Sequence, residues 1–272
     1  MTSTILNNGK KGLLPLLNRL GKEIYTFKDI LTLTKMNKPY AKQVLYKLDR
    51  ADRLIRLEKG KYLFVPEGFE KSWTANSFLI ASSLIKPYAL SYWTALNHWH
   101  FTEQIPNTIF IQTTKRKLHP IKEILGVKYQ FITLQKEKFF GLTHIWEKQH
   151  KIYITDKEKT IVDCFAYPEY CGGIIESVKG IVNGLSDKEL DLLKLIKYAI
   201  KFGNKTVFKR LGYILETLNT DIPVSEMKLI KNNIGRGYTL LDPTLPKKGK
   251  LNYRWQLILN IPTESLKEWQ KH

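Results

Sequence analysis

Between residues 37 and 55 the apolar positions recur at spacings of three and four. At 100° per residue Ala41, Val44, Leu45, Leu48 and Ala51 fall on one side of a helix, with Ile55 continuing the line. The opposite side gathers Pro39, Lys42, Gln43, Tyr46, Arg50 and Arg53, with Lys47 and Asp49 at its flanks. Asn37 fits the N-cap, and Pro39 sits in the first turn, where its missing N–H costs little. Upstream, residues 13–20 form a short apolar helix closed by Gly21. A second helix opens at residues 25–31 with Thr26 as N-cap and Asp29 in its first turn. Downstream, residues 54–65 read as two short strands turning at Lys59-Gly60. Helix, helix, helix, hairpin is the order of a winged helix-turn-helix, assigned here to residues 1–68 with a boundary at Glu67-Gly68.

The remaining residues, 69–272, read as one larger mixed α/β domain, so the predicted class is α+β. Helical patterns cover residues 74–85, 88–99, 174–182, 206–218 and 224–232. Strand patterns cover residues 108–112, 128–132, 142–146, 151–154, 238–241 and 253–259. Two capping boxes are expected, Thr155-x-x-Glu158 opening a helix through Phe165 and Ser186-x-x-Glu189 opening one through about Phe202. The aromatic groups Tyr92, Trp93, Trp99 and Tyr167, Tyr170 are read as core packing. There is no internal repeat.

Charge changes the picture. The chain of 272 residues carries 44 Lys and Arg against 25 Asp and Glu, a net +19. Residues 1–68 hold 14 basic and six acidic residues, a net +8, while the other 204 carry +11. The first quarter is therefore about twice as basic per residue, which favours a polyanionic partner at that end. A merely solvated helix face usually mixes both signs for i,i+4 pairing, yet Lys38 to Lys47 contains no acidic residue. We assign Lys38, Tyr40, Lys42, Gln43, Tyr46, Lys47 and Arg50 of the helix, and Arg56, Lys59 and Lys61 of the hairpin, to double-stranded DNA. Gln43 and Tyr46 can reach base edges and phosphates.

Other chemistries leave weaker traces. No run approaches the ~18 apolar residues of a bilayer span, so no membrane partner is expected and a cytoplasmic location is. The two thiols, Cys164 and Cys171, lack a second pair for a metal site. His98-x-His100 lacks zinc-pair spacing, and nucleotide-loop and G-x-S-x-G motifs are absent. No cofactor, metal ligand or catalytic residue is assigned. Asp156, Glu158, Lys159 and Asp163 leave open a metal-dependent nuclease, and a winged helix can also serve as a protein-binding scaffold.

Two stretches carry a resemblance. Residues 91–99, SYWTALNHW, followed by TEQIP at 102–106, and residues 154–164, ITDKEKTIVDC, are similar to the AbiEi-type antitoxins of abortive-infection toxin–antitoxin systems. RLGYILE at 210–216 and Leu241-Asp242-Pro243 add to the likeness, which runs from the winged helix to about residue 245. His100 stands where the family more often has glycine, and Lys157 where proline is common. The resemblance implies a non-enzymatic transcriptional autorepressor that binds inverted repeats in its own promoter, with dimeric or cooperative occupancy. It also implies an antitoxin role against a nucleotidyltransferase toxin, exerted without a stable complex between the two.

Overall fold

A computed structural model describes residues 9–65 and 76–267. The chain divides into two compact units, Met1–Leu84 and Ile85–His272. The expected boundary at Glu67-Gly68 lies outside the described residues.

The first unit runs α1 (Gly9–Leu20), β1 (Ile24–Thr26), α2 (Phe27–Thr34), α3 (Lys38–Asp49), β2 (Leu54–Glu58), β3 (Lys61–Phe64) and α4 (Ser77–Leu84). Its sheet has the order β1-β3-β2 and is antiparallel throughout. Leu13 and Leu17 of α1, Ile30 of α2, and Val44, Leu45 and Leu48 of α3 close on Tyr25, Leu54 and Phe64 of the strands. Each full burial of such a side chain is worth about 1.5–3 kcal/mol. Ile24, Tyr25 and Thr26 pair with Leu63, Tyr62 and Lys61, so Tyr25 belongs to a strand and the second helix starts at Phe27. Thr26 is nevertheless its N-cap, in a capping box completed by Asp29. Gly21 ends α1 at φ +66°, as expected of a C-terminal glycine.

The second unit contains β4 (Ala89–Leu90), α5 (Tyr92–His98), β5 (Thr108–Thr113), β6 (Ile121–Ile124), β7 (Val127–Thr133), β8 (Leu142–Glu147) and β9 (His150–Thr155). Then follow α6 (Lys157–Ala166), α7 (Ile174–Ser186), α8 (Leu192–Phe202), α9 (Lys205–Thr217) and α10 (Val224–Asn232). Three short strands follow, β10 (Thr239–Leu240), β11 (Lys250–Asn252) and β12 (Leu257–Leu259), with a 3-10 turn at Glu264–Leu266 after them. Six strands form one mixed sheet in the order β6-β7-β5-β4-β9-β8, and β10-β12-β11 form a small one. The whole is mixed α/β, in keeping with the α+β class. No helix among the described residues is long and apolar enough to cross a membrane.

Several local expectations are corrected. Residues 88–99 are not one helix, since Ala89 and Leu90 pair with β5 on one side and Leu90 with β9 on the other. The six-stranded sheet gains more from that central pairing than the helical pattern could return. Thr155 is not an N-cap. It ends β9, and Asp156 caps α6 by accepting from Lys159 N at 2.9 Å. Ser186 belongs to the end of α7, and the next helix is capped by Asp191, which accepts from Lys194 N at 3.0 Å. The single strand expected over residues 253–259 is shortened by a turn in which Asn252 Oδ1 accepts from Trp255 N at 2.9 Å. Among the described residues, β6 and β11 have no counterpart in the sequence pattern.

At the centre of the second unit lies α6, buried from Glu158 through Ala166. Its Lys159 and Asp163 form an ion pair with both side chains fully buried, and Gln112 of β5 donates to the same carboxylate. Burial pushes the Lys159 ammonium down and the Asp163 carboxyl up, and each partner pulls the other back toward its charged form. We expect Lys159→Met to destabilise the protein by roughly 3–5 kcal/mol, because Asp163 is then left buried and unpaired. The double variant Lys159→Met/Asp163→Leu should recover much of that loss, as read by urea denaturation. A double variant no better than the single one would contradict the pairing account.

Candidate nucleic-acid interface

The interface is built on α3. Asn37 Oδ1 accepts from Tyr40 N at 2.9 Å and fixes the start of the helix, with Pro39 in its first turn. Ala41, Val44, Leu45 and Leu48 are buried against the rest of the unit. That anchoring turns Lys38, Tyr40, Lys42, Gln43, Tyr46, Lys47 and Arg50 outward, and all seven are exposed. Tyr46 is 64% exposed, so its ring and hydroxyl stand clear of the unit's core. A helix of 12 residues is about 18 Å long, and a major groove about 12 Å wide admits it.

The hairpin of β2 and β3 flanks this helix. Arg56 lies directly opposite Tyr62 in the β2–β3 register, just before an irregularity between Arg56 and Glu58. Lys42, Tyr46 and Asp49 of the helix and Arg56 and Tyr62 of the hairpin line a shallow groove of about 160 Å³. The fold therefore joins three of the expected residues, Lys42, Tyr46 and Arg56, in one surface. Lys59 is exposed in the turn, where Gly60 adopts φ +76° and its carbonyl accepts from Phe27 N at 2.8 Å. The turn is thereby tied to the first residue of α2, which sets where Lys59 stands.

One expected residue points elsewhere. The Lys61 ammonium donates to the Ser83 carbonyl and lies 3.5 Å from the Glu58 carboxylate. Its charge is met inside the unit, so we remove it from the interface. Tyr62 and Asp49 are the additions. Tyr62 could have been found by setting the hairpin in register, which puts it across from Arg56. Asp49 brings the one carboxylate into the groove lining, at the last residue of α3.

The four residues that left a nuclease open have structural partners. Asp156 caps α6, and its carboxylate also accepts from Tyr198 Oη at 3.1 Å. Glu158 accepts from Asp191 N at 3.1 Å and from Lys194 Nζ at 2.6 Å. Lys159 and Asp163 bind each other. Cys164 and Cys171 are free and buried. Tyr92 packs edge-on to Tyr167, Tyr170 and Phe110, which makes these aromatics core residues. A larger open cavity of about 670 Å³ lies beside α9 and α10, lined by Glu216, Asp221, Met227, Lys228 and Lys231 among others. Its charges are mixed, with Glu216 and Asp221 against Lys228 and Lys231.

Asn37→Ala should cost about 1 kcal/mol of stability, the usual worth of an N-cap, measured by urea denaturation. A loss near zero would mean that the cap does not hold the start of α3.

No family model matches the chain, and no curated protein matches it either. Among solved structures it is similar to the crystal structure of the RV2827C protein from Mycobacterium tuberculosis, with a TM-score of 0.67 at 13% identity. The match covers 99% of this chain and 95% of that one, and the likeness is one of fold.

Proposed function

We propose that the first unit is a winged helix-turn-helix that binds double-stranded DNA, with α3 in the major groove and the β2–β3 hairpin as the wing. The observation that carries this reading is the outward face of α3. From Lys38 to Lys47 it is exposed, basic and free of carboxylates, and it adjoins Arg56 and Tyr62 of the hairpin. A merely solvated face usually mixes both signs for i,i+4 pairing, and this one does not. Lys38, Lys42, Lys47, Arg50, Arg56 and Lys59 are positioned for phosphates, and Gln43 and Tyr46 for base edges.

On this reading the chain is a non-enzymatic, sequence-specific transcriptional regulator. The resemblance to AbiEi-type antitoxins adds an autorepressor role at inverted repeats of its own promoter, with dimeric or cooperative occupancy. It also adds an antitoxin role against a nucleotidyltransferase toxin, exerted in the cytoplasm without a stable complex. The second unit then supports binding or neutralisation.

The test is binding to duplex DNA from upstream of the gene, followed by fluorescence anisotropy. If the six cations each neutralise a phosphate, affinity should fall on the order of 10³-fold between 50 and 200 mM salt. Lys42→Ala or Lys59→Ala should weaken all sequences alike and lower the salt slope by about one. Gln43→Ala should cost roughly 1–3 kcal/mol at the specific site and nothing elsewhere. Lys61→Ala should leave DNA affinity unchanged, since its charge is met internally. Binding indifferent to salt would overturn the interface, and a Gln43 variant that still discriminates normally would overturn the base contact.

A further inference from the structure

The outer end of the six-stranded sheet carries a second surface that the duplex reading does not use. β8 is the terminal strand, paired on one side with β9. In their antiparallel register His144 lies opposite Tyr153, Trp146 opposite Lys151, and Leu142 opposite Thr155. Directly opposite residues share a face, so Leu142, His144, Trp146, Lys151 and Tyr153 stand together. All five are exposed, with Trp146 at 62% and Tyr153 at 42%. The strand pair is well anchored, because Ile152 and Ile154 at the alternate positions are fully buried. Exposure of the rings is therefore a property of a firmly held surface.

Single exposed apolar residues are ordinary, but three rings in one array are not. The His144 and Trp146 ring centroids are 6.0 Å apart, and the Lys151 ammonium lies 5.5 Å from the Tyr153 centroid. Among the described residues of β8 and β9 the one carboxylate, Glu147, stands opposite His150 and so lies on the alternate face. Lys148, in the turn between the strands, is exposed as well. Protein interfaces are depleted in lysine, whereas aromatic rings interleaved with cations suit unpaired bases and their phosphates. Paired bases are already stacked on each other and cannot offer their faces to a flat sheet.

We propose that the β8–β9 face binds single-stranded nucleic acid, with Trp146, Tyr153 and His144 stacking on two or three bases and Lys151 meeting the phosphates. This surface stands independently of the reading of α3, and the experiment separates the two. The full chain is titrated into labelled (dU)12, (U)12 and a random duplex of the same length at 50 mM salt. Both single strands should bind. A preference between (U)12 and (dU)12, which differ in the sugar alone, then says which sugar the surface accepts.

Trp146→Ala and Tyr153→Ala should each weaken single-strand binding about tenfold, the lower part of the range for one base–ring stack, and leave duplex binding unchanged. Lys42→Ala should do the reverse. Trp146 is the more exposed ring and its variant should melt with the parent, whereas the Tyr153 ring packs edge-on against Tyr88 at 6.0 Å, so Tyr153→Ala is read beside its own melt. Failure to bind either single strand overturns the proposal. So does single-strand binding that Lys42→Ala weakens and Trp146→Ala does not. Sedimentation that shifts from dimer to monomer in Trp146→Ala, with oligonucleotide binding unaltered, assigns the face to self-association instead.

Discussion

Everything in the second unit is arranged around a helix that has no solvent face. Because α6 is buried from Glu158 to Ala166, each of its polar groups must find a partner within the protein or cost the full desolvation penalty. Asp156 satisfies its first turn, and Thr160 Oγ reaches the Thr155 hydroxyl at 2.8 Å and the Asp156 carbonyl at 2.7 Å. At the other end Arg210 of α9 donates to the Phe165 carbonyl at 2.7 Å. Its guanidinium also donates to the Leu240 carbonyl at 3.0 Å, which ties the small C-terminal sheet to the same point. A cation at a helix C-terminus also meets the negative end of the dipole. Burial lowers the Arg210 guanidinium to about 10, with Glu169 and Asp242 opposing that shift.

The first unit solves a different problem with similar means. Its helices are short, so caps decide where they begin: Thr26 with Asp29 for α2 and Asn37 for α3. The cap fixes where α3 starts, and the buried Ala41, Val44, Leu45 and Leu48 fix its rotation, so the groove lined by Lys42, Tyr46, Arg56 and Tyr62 depends on that apolar face.

What could be read from the sequence follows from range. The amphipathic face of α3, the caps Thr26 and Asn37, and the strands near residues 108–112 and 128–132 are set by local periodicity, and they stand as read. Ala89 and Leu90 form a strand because two distant partners claim them, which no local pattern carries. The misplaced capping boxes have the same origin. Glu158 serves Asp191 and Lys194, about 30 residues further on in sequence, and Glu189 lies 3.0 Å from Lys157. For the interface, the helix was legible because its exposure follows from a 3.6-residue period. Lys61 was not, because its fate depends on the Ser83 carbonyl of another helix. The array on β8 and β9 needs strand register as well as alternation, since Trp146 and Lys151 become neighbours only when the strands pair.

The net charge of +19 is the broadest signal in the sequence, and burial decides how much of it a partner can feel. Lys159, Lys209 and Arg210 are all buried and serve the core, where their charge is met by a carboxylate or by carbonyls. Lys61 and Lys194 are likewise engaged by groups of their own unit. Lys42, Lys47, Arg50, Arg56 and Lys59, by contrast, are exposed around a single helix and its hairpin. A polyanion responds to cations that can approach its phosphates within the ~10 Å over which salt leaves their field intact. On the proposed reading, the charge a duplex meets is the local, carboxylate-poor density beside α3. It survives there because Asn37 and the buried leucines leave those side chains no other direction to point.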